Sequence, residues 1–212
     1  MNNAHININN ETLRNRIVAM PEDSVLFRSD FPMYHSEFVG ETLTGLTNEG
    51  ILVKLAQGIY AKPRKSRFGT VLPSVDKIVQ AIASRDNAEI LPTGATAMNI
   101  VGLSNQVPMN YTYLTTGSER IVKLKNRQVA LKRGVPKNFC YKTRLIALLV
   151  QALRILKQEN VGTNELQTIR ELIDKEPDKE VLMRDVNLMP AWMKRLIKPM
   201  LKSNDYVETM AE

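Results

Sequence analysis

Cysteine is almost absent from this chain: Cys140 is the only one in 212 residues. No intramolecular disulfide can form and no cysteine-rich metal site can be built, a usage that fits a reducing compartment. Histidine is nearly as scarce. His5 lies in the polar N-terminal tail and His35 at the start of a predicted helix, so a Ser-His-Asp triad has no well-placed base. Lys137 and Lys142 flank Cys140 and would favour its thiolate, but no histidine stands near it, and the residue reads as a structural thiol. The carboxylates of the middle segment, Asp76, Asp86, Glu89 and Glu119, are too few and scattered for a metal-dependent nuclease. Those of the last third alternate with cations, as solvated helix faces do. No catalytic constellation emerges: the expectation is a protein that is not an enzyme and needs no metal or cofactor.

Long apolar runs are missing as well. The longest, LIALLV at 145–150, is far short of the ~18 residues of a membrane span. The N-terminus MNNAHININNE has neither the basic nor the apolar region of a signal peptide. A soluble, cytoplasmic protein is expected, with no membrane partner. Hydrophobic residues at 43% are enough for a core, and the length corresponds to one large or two small domains.

Negative charge is the most unevenly distributed absence. From Arg120 to Lys157 there are eleven Lys and Arg and no Asp or Glu. The formal net charge of +7 is the residue of −4 over 1–50, +14 over 51–157 and −3 over 158–212. A block so one-sided repels itself unless a polyanion or an acidic partner meets it.

In the first seventy residues, Leu13, Ile17 and Met20 recur at helical spacing in ETLRNRIVAM, and Pro21 closes that helix. SVLF (24–27) is a short strand, and Ser29 or Asp30 is placed to cap a short second helix. HSEFVGETLTGLTNEG (35–50) is a third helix with Val39, Leu43 and Leu46 inward and Gly50 as its stop. ILVKLA and IYAKP then form a hairpin about Gln57-Gly58. Helix, strand, short helix, helix, hairpin is the order of a winged helix-turn-helix, whose last helix lies in the major groove and whose wing touches backbone or minor groove. The residues assigned to DNA on this reading are Ser36, Thr44 and Asn48 on the helix and Gln57 at the wing. Lys62, Arg64, Lys65 and Arg67 follow on the basic strap that leaves it. Glu37 and Glu41 share the outward helix face. Two glutamates there favour solvent or a protein contact, although glutamate can accept from cytosine.

Further along, SVDKIVQAIASRD (74–86) is an amphipathic helix capped by Ser74, with Val75, Ile78, Val79 and Ile82 inward. AEILP is a strand. TGATAMNIVGLS (93–104) lacks the Lys-Ser/Thr of a phosphate loop and the spacing of a dinucleotide fingerprint, and reads as a helix of small residues packed on a sheet. YTYLTT (111–116) is a strand, and IVKLKNRQVALKR (121–133) a hairpin turning near Asn126. Alternation puts Val122, Leu124, Val129 and Leu131 on one face and Lys123, Lys125, Gln128 and Lys132 on the other. Lys123, Lys125, Arg127 and Lys132 are the second set of candidate phosphate contacts, salt-sensitive and blind to sequence. An acidic protein would meet the same face. Residues 141–157 form a strong helix with Leu145, Leu148, Leu149, Ala152 and Leu156 inward, followed by helices over 163–176 and 190–202. Trp192, Met193 and Met200 fit either a partner-binding face or ordinary core.

EGILVKLAQGIYAKP, LPTGATAMNIVGLSNQVP and YLTTGSERIVKLKNRQVALKRG together resemble the AbiEi-like antitoxin family of bacterial abortive-infection toxin–antitoxin systems, and its short relatives of unknown function. The resemblance covers residues 11–140 through the order and spacing of three blocks. It implies an autorepressor that binds its own promoter, counters a co-encoded nucleotidyltransferase-like toxin and carries no enzymatic activity.

The expected architecture is α+β. A tail (1–10) precedes a winged helix-turn-helix with its strap (11–70). A mixed α/β domain with a small antiparallel sheet and C-terminal helices (71–204) follows, and then a second tail (205–212). The expected partners are double-stranded DNA and a cognate toxin, with a homodimer if the operator has paired half-sites. The alternative is a protein-interaction module whose basic face binds an acidic partner without operator DNA.

Overall fold

The computed structural model describes residues 12–124 and 127–202. The fold is mixed α+β, and the chain divides into two compact units: residues 1–85 with 123–126, and 86–122 with 127–212. The expected boundary after residue 70 falls inside the first unit.

The first unit opens with a helix over residues 12–18 (α1), whose Leu13 and Ile17 are completely buried. Strand β1 (Val25–Phe27) leads into a single 3-10 turn, Arg28–Asp30. This turn stands where a short second helix was expected. Asp30 does not cap a following helix: its Oδ2 accepts the N–H of Phe27 at 2.8 Å, bonding back to the start of the 3-10 turn to which it belongs.

Helix α2 (Ser36–Asn48) buries Val39, Thr42, Leu43 and Leu46. It ends as the sequence predicts, at Gly50, whose φ of 73° a side chain would resist. Gly50 N–H bonds Thr47 O at 3.0 Å and Ile51 N–H bonds Leu46 O at 3.0 Å, a Schellman closure. Ile51 then packs against the cluster that holds Leu46, so the cap also aims the chain into the sheet. Strands β2 (Val53–Ala56) and β3 (Ile59–Ala61) turn at Gln57-Gly58, with Gly58 at φ 70°. The sheet is antiparallel in the order β1-β3-β2, with Val25 and Val53 flanking Ala61. Leu13, Ile17, Leu26, Phe31, Val39, Leu43, Leu46, Leu52 and Tyr60 form one core between the helices and this sheet.

The basic strap is itself folded. Strands β4 (Arg64–Ser66) and β5 (Gly69–Val71) make a separate two-stranded antiparallel ribbon. Helix α3 (Val75–Arg85) follows, with Ser74 Oγ accepting the Lys77 N–H at 3.2 Å as its cap. It packs against β1, and Arg85 lies over the Phe27 ring at 4.4 Å.

The four-stranded sheet has the order β6-β7-β9-β8: β6 (Ile90–Pro92), β7 (Asn110–Thr115), β8 (Arg120–Leu124) and β9 (Arg127–Arg133). The β6–β7 pair is antiparallel, as expected of a small antiparallel sheet, but β7 runs parallel to β9. The intervening β8 takes the outer edge, so the chain crosses past its own hairpin before pairing. The turn assigned to Asn126 lies outside the described residues. The short helix α4 (Gly94–Ile100) buries Thr96 and Ala97, in keeping with close packing of small residues.

Helix α5 (Arg144–Leu156) is buried over far more than one face. Ile146 through Leu153 are all buried, while Leu145 and Leu156, expected inward, are only half-buried. The cause is that α5 packs at once on α4, β6 and α7. Helices α6 (Thr163–Asp174), α7 (Lys179–Leu188) and α8 (Ala191–Lys202) complete the second unit. Met193 is 1% exposed and Met200 7% within that core, which settles both methionines as packing residues.

Candidate nucleic-acid interface

The ribbon gathers three exposed cations, Arg64, Lys65 and Arg67, within four residues. Between Glu49 and Asp76 the chain holds five Lys and Arg and no carboxylate. Arg64 pairs in register with Val71, Lys65 with Thr70 and Ser66 with Gly69, so Arg64 and Lys65 project from opposite faces of a narrow strip. Residues 64–70 are all exposed. Among the described residues, the side chains of Arg64 and Lys65 have no hydrogen-bond or ion-pair partner. The turn is Arg67-Phe68. Ser66 Oγ donates to Gly69 O at 2.9 Å and accepts the Phe68 N–H at 3.2 Å, and Gly69 takes φ 113° to let the chain reverse. The Arg67 guanidinium lies 4.8 Å from the centre of the Phe68 ring, and that ring is 86% exposed.

Lys62 does not join this group. Its side chain turns back onto α1, where Nζ donates to Val18 O at 2.5 Å and to Met20 O at 2.6 Å. It thereby satisfies carbonyls that the end of a helix leaves open, a favoured place for a cation.

On α2, Ser36, Thr44 and Asn48 are exposed together with Glu37 and Glu41, as the helical periodicity predicts. The Thr44 hydroxyl donates to Gly40 O at 2.8 Å and Arg28 Nη2 to Ser36 O at 2.5 Å. Gln57 is exposed at the β2–β3 turn. Near the end of α2, Arg14 donates to both oxygens of Glu49, at 2.7 and 2.5 Å. That bond raises the Arg14 pKa and holds the Glu49 carboxyl below its usual range.

The second set is split by the pleat. Val122, Leu124, Val129 and Leu131 are buried, while Lys123 on β8 and Lys132 on β9 are exposed and Gln128 is half-buried. Lys125 lies outside the described residues. On β9, Arg127 alternates with Gln128 and so shares the side of Val129, not that of Lys132. It is exposed at the strand end, over the Tyr111 ring at 5.9 Å. Lys132 pairs in register with Leu114, which packs against the helical core, so the cationic strip does not continue onto β7.

Among the described residues, no three or more His, Cys, Asp or Glu are grouped to hold a metal ion, and no helix is long and apolar enough to cross a membrane. Asp86 is paired with Arg120. Cys140 is exposed, its thiol donating to Lys137 O at 3.1 Å. The cations of the ribbon stand out in the sequence as charge. Phe68 was missed there, although its position directly after four cations was visible.

Fold and surface thus define a mixed α+β protein that carries an exposed, cationic β-ribbon. Residues 12–181 match the model of a family of unknown function, DUF6088, and the chain belongs to that family. No curated protein matches it.

Proposed function

We propose that the protein is a DNA-binding transcriptional regulator of the antitoxin type, which represses its own operon and counters a co-encoded nucleotidyltransferase-like toxin. The observation that carries DNA binding is the ribbon Arg64–Val71, with Arg64, Lys65 and Arg67 exposed and, among the described residues, paired with no carboxylate. Free cations on a projecting strip have their natural counterpart in a phosphate backbone, which supplies most of non-specific affinity. On this reading the first unit is a winged helix-turn-helix. The succession of α1, β1, the 3-10 turn, α2 and the β2–β3 hairpin supports it, as does the sheet order β1-β3-β2. Helix α2 would be the groove helix, presenting Ser36, Thr44 and Asn48, with Gln57 at the wing. Lys123, Arg127 and Lys132 would add phosphate contacts. The antitoxin role rests on the three sequence blocks quoted above, all within the residues shared with the family.

Fluorescence anisotropy of the purified protein tests this, comparing the duplex upstream of its gene with a scrambled duplex at two salt concentrations. Tighter, salt-dependent binding to the upstream duplex is expected. Equal or absent binding rejects operator recognition. For the antitoxin role, co-expression should rescue growth arrested by the neighbouring gene product, and failure to rescue rejects it.

One observation favours a second reading. Glu37 and Glu41 are both exposed on the outward face of α2, where they repel phosphates and suit a protein partner. Charge reversal separates the two. Glu37→Lys with Glu41→Lys should tighten DNA binding if α2 enters a groove, and leave it unchanged if α2 serves a protein contact.

A further inference from the structure

We propose that the ribbon enters the minor groove of duplex DNA by its tip, and that Phe68 acts there as a wedge that partly unstacks one base step and bends the duplex. This rests on the DNA-binding reading above and adds how the contact is made.

A lone exposed apolar side chain is ordinary on a protein surface. Phe68 differs in where it is held. It stands at the apex of a two-residue turn, 86% exposed, with no part in either core. The turn beneath it is fixed by both bonds of Ser66 Oγ and by the left-handed backbone of Gly69. The Arg67 guanidinium is stacked 4.8 Å from its ring, so aromatic and cation are presented as one unit. Narrow minor grooves concentrate negative potential and attract arginine. Apolar side chains driven between base steps are the device by which minor-groove proteins kink DNA.

The dimensions agree. A two-stranded ribbon needs about the 12 Å of a major groove, whereas the minor groove is about 6 Å wide and 7.5 Å deep, so only the tip fits. Arg64 lies three residues behind Arg67, about 10 Å along the strand at ~3.3 Å per residue. With the tip at the groove floor, Arg64 and Lys65 come level with the flanking phosphates, one on each face of the ribbon. Both find phosphate partners in that pose.

The test uses the full chain and a duplex of about 30 base pairs from directly upstream of the gene, with a donor and an acceptor dye at its ends. On saturation with wild-type protein the energy transfer should rise, reporting a bend. Phe68→Ala should bind several-fold more weakly with the same salt slope and no rise in transfer, and Phe68→Leu should restore the bend. Wild-type binding without a bend, or an equal bend with Phe68→Ala, overturns the wedge while DNA binding stands. Absence of binding to any duplex overturns both.

Discussion

The carboxylate of Asp185 accepts the backbone N–H of Thr143 at 2.6 Å, with Asp185 completely buried. Thr143 is the N-cap of α5 and makes no side-chain cap bond of its own. An aspartate from α7 therefore supplies the acceptor that the first turn lacks, and its negative charge sits at the positive end of the helix. Asp185→Ala should lower stability by about 1.5–3 kcal/mol, the range for a hydrogen bond to a charged group. Urea denaturation would measure it, and an unchanged midpoint would show that α5 starts without this cap.

Lys62 and the ribbon cations should separate cleanly in mutation. Lys62 holds the carbonyls of Val18 and Met20, so Lys62→Met should reduce stability by about 1 kcal/mol and leave the salt slope of DNA binding unchanged. Replacing Arg64, Lys65 and Arg67 with alanine should do the opposite. Stability stays, affinity falls several-fold, and the slope drops by up to ~0.9 for each phosphate left without its cation. A drop in slope with Lys62→Met would mean that its ammonium leaves α1 for a phosphate.

Leu43 is fully buried in the cluster between the first two helices and the first sheet. Leu43→Ala should cost about 2–5 kcal/mol through reduced burial and the cavity left behind. Chemical denaturation monitored by circular dichroism is a sufficient readout, and a cost below that range would mean the core collapses around the gap.

Burial, the nearby Cys140 and Asp185 push the Tyr141 phenol above its ordinary pKa, partly opposed by Arg154. A raised folded-state pKa means that the neutral phenol is favoured by folding. Its contribution to stability is whole below the usual phenol value of ~10 and is lost as pH rises through the folded-state value. Tyr141→Phe should therefore flatten the alkaline fall in stability above pH ~10. Ultraviolet absorbance should show one tyrosine fewer among the late-titrating group, and an unaltered alkaline profile would contradict the assignment.

The elements legible in the sequence are those whose cause is local. The 3.6-residue spacing of Val39, Leu43 and Leu46 predicts α2 and its buried face, and Gly50 its end, because a left-handed closure needs no distant partner. Alternation on β8 and β9 predicts that Val122, Leu124, Val129 and Leu131 are buried. The candidate interface was legible in part. Arg64, Lys65 and Arg67 stand out as charge, but not as a folded ribbon, because three-residue strands leave too little periodicity to read.

By itself the sequence determined composition, charge distribution, element types and most of the apolar faces, since each is written in residues a few positions apart. Only the tertiary structure decided the parallel pairing of β7 with β9, the all-round burial of α5 and the cap that Asp185 supplies across 42 residues. It also decided that Lys62 belongs to a helix end while the Arg64 side chain has no partner among the described residues. Each of these depends on a partner distant in the chain, and neither the spacing nor the propensity of a residue says which remote group it will meet.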